Sequence, residues 1–190
     1  IQAFLQRRCP DKSWLASVFV SMFLHGGWLH IAGNMLYLWI FGNNVEDRLG
    51  RAVFVVFYLV GGLAAAALQV LFAPDSVIPN VGASGAIAAV LGAYLVLFPH
   101  ARILTLVMFF FITWVELPAV VVLGFWFVFQ LISGLSELGA LGQQVNSGVA
   151  YWAHVGGFVA GVAMTLLLFR GRRQPVPYEP LPPRPDLWDP

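Results

Sequence analysis

His25, His30, Asn34, Ser84 and His154 are polar residues set in or beside long apolar stretches of a 190-residue chain. A serine hydroxyl with an imidazole as general base forms the nucleophile–base pair of acyl transfer. That chemistry also needs donors aimed at the oxyanion that develops in the transition state. Ser84 opens an apolar run, so a helix starting there would surround it with free backbone N–H groups at the positive end of the helix dipole. His30 and Asn34, spaced i, i+4, fall on one helical face and can supply side-chain donors. Asp75, Glu116 and Glu137 lie in loops or at span ends, so no carboxylate is evident to orient His154. The chemistry expected is a Ser84–His154 dyad with oxyanion donors from His30 and Asn34. The surrounding string Gly82-Ala83-Ser84-Gly85-Ala86 is not the G-x-S-x-G elbow of soluble hydrolases, because Ala86 fills the last Gly position.

The elements that must hold these groups follow from composition. Hydrophobic residues make up 59% of the chain and charged residues 10%, against about 45–50% and 25% in an ordinary soluble domain. A net charge of +1 offers no basic stripe for phosphates, which excludes nucleic acid as a partner. The lone Cys9 has no companion for a disulfide or a metal site, and neither a metal nor a cofactor is expected. The chain reads as an integral membrane protein with the lipid bilayer as its surroundings. Five apolar segments are candidate spans, at 28–41, 52–72, 84–98, 117–132 and 149–169.

Loop charge orients them. Arg48 and Arg51 follow the first segment, Arg102 the third, and Arg170, Arg172 and Arg173 the fifth, whereas loops 73–83 and 133–148 hold no Lys or Arg. Basic loops stay inside, so the first, third and fifth segments run from outside to inside. This leaves residues 1–27, with Arg7, Arg8 and Lys12, outside with nothing to carry them across, and a preceding span is expected upstream of Ile1. The third segment has about 15 residues, roughly 22 Å of helix, and is too short for a hydrocarbon core of about 30 Å. Ser84 therefore starts below the outer surface, at the depth His154 reaches one turn or more into the last segment, and the loop before Ser84 dips into the membrane. His154, Gly157 and Gly161 share one face, as do Ser84, Ala88 and Gly92, and small faces of this kind let two helices approach closely. A helix start is expected at Glu116-Leu117-Pro118, with Pro118 in its first turn. Glu46 and Arg48 are expected to form an ion pair at the inner end, and most Phe and Trp to face lipid. The seven Pro of residues 174–190 mark a disordered cytoplasmic tail.

These pieces resemble the rhomboid intramembrane serine proteases. The residues that carry the resemblance are the stretch from Met22 through Gly26-Gly27-Trp28 to Asn34, then Phe41-Gly42-Asn43-Asn44-Val45-Glu46-Asp47-Arg48-Leu49-Gly50, Gly82-Ala83-Ser84-Gly85-Ala86 and Ala153-His154-Val155-Gly156-Gly157. The resemblance implies an all-α, polytopic transmembrane helical bundle with a six-helix core, its first helix absent from this chain. It divides the chain into a membrane-embedded outer loop region (1–27), a transmembrane protease core (28–170) and a tail (171–190). It also implies Ser84 as nucleophile, His154 as base, and an oxyanion hole of Asn34, His30 and the Ser84 backbone N–H. Trp14 would lie in the membrane interface, the helix near Leu117 would act as a lateral gate and the loop before Ser84 as a cap. The expected substrates are single-span membrane proteins cleaved near the outer leaflet of a bacterial cytoplasmic membrane. Some members carry a Tyr one turn after the nucleophile that stacks on the base, whereas this chain has Ala88. Two other readings are an inactive rhomboid-like binder of membrane clients and a proton-coupled transporter built on His154. The transporter would need an intramembrane carboxylate and an inverted repeat, neither of which is evident.

Overall fold

Backbone N–H and C=O groups surrounded by lipid find no water, so apolar runs must close their hydrogen bonds within helices. A computed structural model describes residues 13–74, 81–108, 112–139 and 148–169. The expectations for residues 1–12, including Cys9, for the membrane dip at 75–80 and for the tail from 171 onward lie outside the described residues.

Helix α1 (Trp14–Ser21) starts at Ser13, whose hydroxyl accepts from the Ala16 N–H at 3.3 Å. Helix α2 (Trp28–Tyr37) begins after the extended Gly27 and widens into a π-helical turn (Leu38–Gly42) that leads without a break into α3 (Asn43–Leu49). The first expected segment is thus the first two-thirds of a longer helical run. Gly50, at φ 78°, sits in the left-handed region that favours glycine and separates α3 from α4 (Arg51–Phe72). The remaining helices are α5 (Ser84–Leu97), α6 (Ala119–Gly139) and α7 (Tyr151–Leu168). Among the described residues, three helices are long and apolar enough to cross a membrane, within α4, α6 and α7: Arg51–Phe72, Ala119–Leu138 and Tyr151–Leu168. Helix α5, with 14 residues, is shorter, as its sequence implied.

Among the described residues, one segment forms strands. Between α5 and α6 an antiparallel hairpin pairs β1 (Arg102–Met108) with β2 (Ile112–Pro118), in register from Arg102 opposite Pro118 to Met108 opposite Ile112. The β-branched Ile103, Thr105 and Val107 on one strand and Ile112, Thr113 and Val115 on the other favour this conformation. Helix α6 accordingly begins at Ala119, and Pro118 ends a strand instead of occupying a first helical turn. Two of the free N–H groups at the start of α6 are taken up by the base of the hairpin, Ala119 on the Ala101 carbonyl at 2.8 Å and Val120 on that of Pro99 at 3.0 Å. Glu116 lies 4.0 Å from Arg102 across the hairpin. The expected Glu46–Arg48 pair is not formed: residues two apart on a helix do not face each other. Glu46 instead meets Arg51 beyond Gly50 at 3.5 Å, and Arg48 lies over the Phe98 ring.

Helix α5 is the centre of the bundle. Every residue from Gly85 to Tyr94 is buried, which a helix that is apolar all round requires. Around it, α4 and α7 come in through small residues. A methyl group on Gly157 would strike the Gly85 carbonyl, one on Gly161 the Ala89 carbonyl, and one on Gly92 the Phe158 carbonyl. A methyl on Gly61 or Gly156 would likewise meet Ala89 or Leu68. Bulkier side chains pack toward the C-terminal end of α5, where Phe41 sets its ring edge-on to Tyr94 at 5.0 Å. Helix α6 rests on the bundle by a single stripe, Ala119, Leu123, Gln130 and Gly134, spaced as one helical face.

Candidate active site

Because Gly157 and Gly161 of α7 lie directly on Gly85, Ala88 and Ala89 of α5, one residue round from the expected Ser84/Ala88/Gly92 face, the first turns of the two helices come within side-chain reach. Ser84 Oγ is 2.9 Å from His154 Nε2. The other imidazole nitrogen, Nδ1, is 2.9 Å from Oε1 of Gln130 on α6. An amide oxygen can only accept, so Nδ1 carries the proton and Nε2 presents its lone pair to the serine O–H. The Trp126 ring, one turn before Gln130 on α6, lies against the same imidazole with centroids 5.8 Å apart and planes 38° from parallel. Trp126 also touches the ring of Phe158, one turn beyond His154. The aromatic neighbour of the histidine thus comes from α6, while α5 has Ala88 one turn after Ser84.

His30 and Asn34 face the same corner from α2. A methyl placed on Gly82 would lie 2.8 Å from His30 Nε2 and 3.6 Å from Asn34 Nδ2, so both side chains converge on the backbone two residues before Ser84. Gly82 has φ 122°, a conformation that side chains avoid, and its N–H is bound to the Ser21 carbonyl at 2.9 Å. His30 Nδ1 accepts the Gly26 N–H at 3.2 Å, which leaves Nε2 as the protonated nitrogen and a donor toward that corner. The His25 ring stands edge-on to His30 with centroids 5.2 Å apart. Asn34 is buried, and its Nδ2 has no hydrogen-bond partner among the described residues. Such a buried amide donor costs about 1–3 kcal/mol when left unmet.

Ser84, His154, His30 and Asn34 therefore sit around one corner at the N-terminal ends of α2, α5 and α7. Two residues absent from the sequence reading belong to the same neighbourhood. Gln130 touches the histidine, and Gln69 on α4 accepts the Ala153 N–H at 3.0 Å, tying down the first turn of α7. Both are amides inside apolar runs, the same signal that marks Asn34. Trp126, expected among the lipid-facing aromatics, packs inward. Among the described residues, no group of three or more His, Cys, Asp or Glu comes together to hold a metal ion.

A family model described as the rhomboid domain matches residues 12–171. The chain belongs to the rhomboid family. It is a multi-pass membrane protein with the helical bundle of that family. Among its curated relatives, rhomboid protein 1, mitochondrial, of Saccharomyces cerevisiae is 37% identical over 48% of this chain and 28% of its own length. RHOMBOID-like protein 4 of Arabidopsis thaliana is 32% identical over 83% of this chain and 34% of its own length. The rhomboid protease GluP of Bacillus subtilis is 31% identical over 75% of this chain and 25% of its own length. The chain thus spans about a quarter to a third of the length of these relatives.

Proposed function

We propose that this protein is an intramembrane serine endopeptidase that hydrolyses peptide bonds in or near the transmembrane segments of single-span membrane proteins. The observation that carries the reading is the 2.9 Å contact between Ser84 Oγ and His154 Nε2 at the start of a buried helix. In this reading His154 Nε2 removes the hydroxyl proton as Ser84 Oγ attacks the scissile carbonyl carbon. The carbonyl oxygen, now an oxyanion, is met by the Ser84 backbone N–H, by Asn34 Nδ2 and by His30 Nε2–H. The imidazolium then gives its proton to the leaving amine, and the C–N bond breaks to leave an acyl ester on Ser84. Water, deprotonated by the same imidazole, attacks the ester carbon, the acyl C–Oγ bond breaks to release the new carboxyl terminus, and the returning proton restores the Ser84 hydroxyl. The Asn34 amide supports the oxyanion role, because a buried donor with no acceptor among the described residues is available to a ligand oxygen.

The name of the Bacillus relative, a rhomboid protease, supports the activity. We place the site toward the outer face of a bacterial cytoplasmic membrane, with the Arg48, Arg51 and Arg102 ends inside, following the charge asymmetry of the loops. Purified protein in lipid should cleave a model transmembrane substrate and react with a fluorophosphonate. Ser84→Ala and His154→Ala should each abolish both. Cleavage by Ser84→Ala at the wild-type rate overturns the proposal, and wild-type protein that binds such substrates without cleaving them would indicate the non-proteolytic rhomboid-like binder instead.

A further inference from the structure

A dyad leaves one nitrogen of its histidine unused, and what that nitrogen meets decides whether the other can act as a base. Here Nδ1 of His154 meets Gln130 Oε1 at 2.9 Å. Gln130 is buried, 6% exposed, in the middle of a span whose neighbouring residues are apolar. If the ring carried its proton on Nε2 instead, Nδ1 would turn a lone pair toward the amide oxygen, and two acceptors would face each other beside a buried side chain. The Gln130 oxygen therefore selects the tautomer in which Nε2 is free to accept from Ser84. When Nε2 takes the serine proton, Nδ1–H still donates to the same oxygen, so the bond is kept through the step. Trp126, four residues earlier on the same face of α6, limits the tilt of the ring from the side.

We propose that Gln130 is a positioning residue for His154, a neutral third member that sets the tautomer and orientation of the base from α6. The proposal rests on the reading of Ser84 and His154 as nucleophile and base. It commits to the acceptor oxygen, not to the side-chain bulk, and two substitutions separate these. Gln130→Leu keeps a side chain of similar size and removes the acceptor, and Gln130→Glu keeps an acceptor oxygen.

The test uses the full chain in lipid, with three readouts: the rate of fluorophosphonate labelling at Ser84, kcat and KM for a transmembrane substrate, and the 15N signals of the His154 ring, assigned by their loss in His154→Ala. For Gln130→Leu, the labelling rate and kcat should fall roughly tenfold while KM moves by less than about twofold, and the ring nitrogens should shift toward a mixture of tautomers. Gln130→Glu should stay within about threefold of the wild-type kcat. A Gln130→Leu protein that labels at the wild-type rate with an unchanged tautomer overturns the proposal. So does one whose loss lies in KM or in the folded fraction alone. Wild-type protein that is not labelled at Ser84 overturns the Ser84–His154 reading itself, whereas a labelled wild type with an unaffected Gln130→Leu overturns the Gln130 role alone.

Discussion

Asn34 holds a buried donor that no described protein group accepts, and this makes it the most informative single residue in the site. If the amide plays no part in catalysis, Asn34→Ala removes an unmet buried group and costs little. If it donates to the oxyanion, the same change removes stabilisation present only in the transition state. We expect kcat to fall by about 10²-fold with KM nearly unchanged, as for other single oxyanion donors. Steady-state cleavage of a transmembrane substrate measures this, and an unchanged kcat would remove Asn34 from the mechanism. Ser84, His154, His30 and Asn34 were visible in the sequence because each is polar where lipid or packing should exclude polarity. Gln130 and Gln69 carry the same signal but pair with groups far along the chain, 24 and 84 residues away. Spacing along one helix cannot reveal such partners. Sequence proximity pairs Glu46 with Arg48, two residues off, whereas the turn at Gly50 brings the reachable cation, Arg51, alongside.

At the scale of elements, the separation of Ser84 and His154 depends on how closely α5 and α7 approach, and glycine backbones set that approach. The Cβ of an alanine at Gly161 would overlap the Ala89 carbonyl, a backbone group that cannot rotate away. Gly161→Ala should therefore destabilise the protein by about 2–3 kcal/mol, through forced separation of the helices. Gly124, in α6, has nothing within 4 Å of the same added atom, and Gly124→Ala should be neutral or stabilising by up to about 1 kcal/mol. Thermal unfolding in detergent compares the two. Equal midpoints would show that the α5–α7 contact is looser than the Ser84–His154 distance requires. The helices themselves were largely legible, since apolar runs and small-residue faces follow the 3.6-residue period. The hairpin was not. Residues 102–118 are as apolar as a span, and Ile, Val and Thr serve either state until pairing partners and the Pro99–Ala101 turn settle it. That ambiguity moved the start of α6 from 117 to Ala119.

For the whole molecule, the sparse charge carries the most consequence. Trp28, Leu29 and Phe125 are 89%, 90% and 75% exposed on the protein surface, which is tolerable only where lipid covers them. The alternating run of α2–α3, α4, α5, α6 and α7 then puts Arg48, Arg51 and Arg102 at one end of the bundle and Ser84 and His154 toward the other. If the basic end is inside, the site opens to the outer leaflet, and substrates must present their cleavage segment there. Leu24 and Asp47, both exposed, stand near the two ends of the first helical run. With Cys9 changed to Ser, a single cysteine in Leu24→Cys should react with an impermeant maleimide in intact cells. Asp47→Cys should react only after the membrane is opened. Reactivity in the opposite order would invert the protein, place Ser84 toward the inner leaflet and require substrates with the reverse orientation, while leaving the Ser84–His154 geometry untouched.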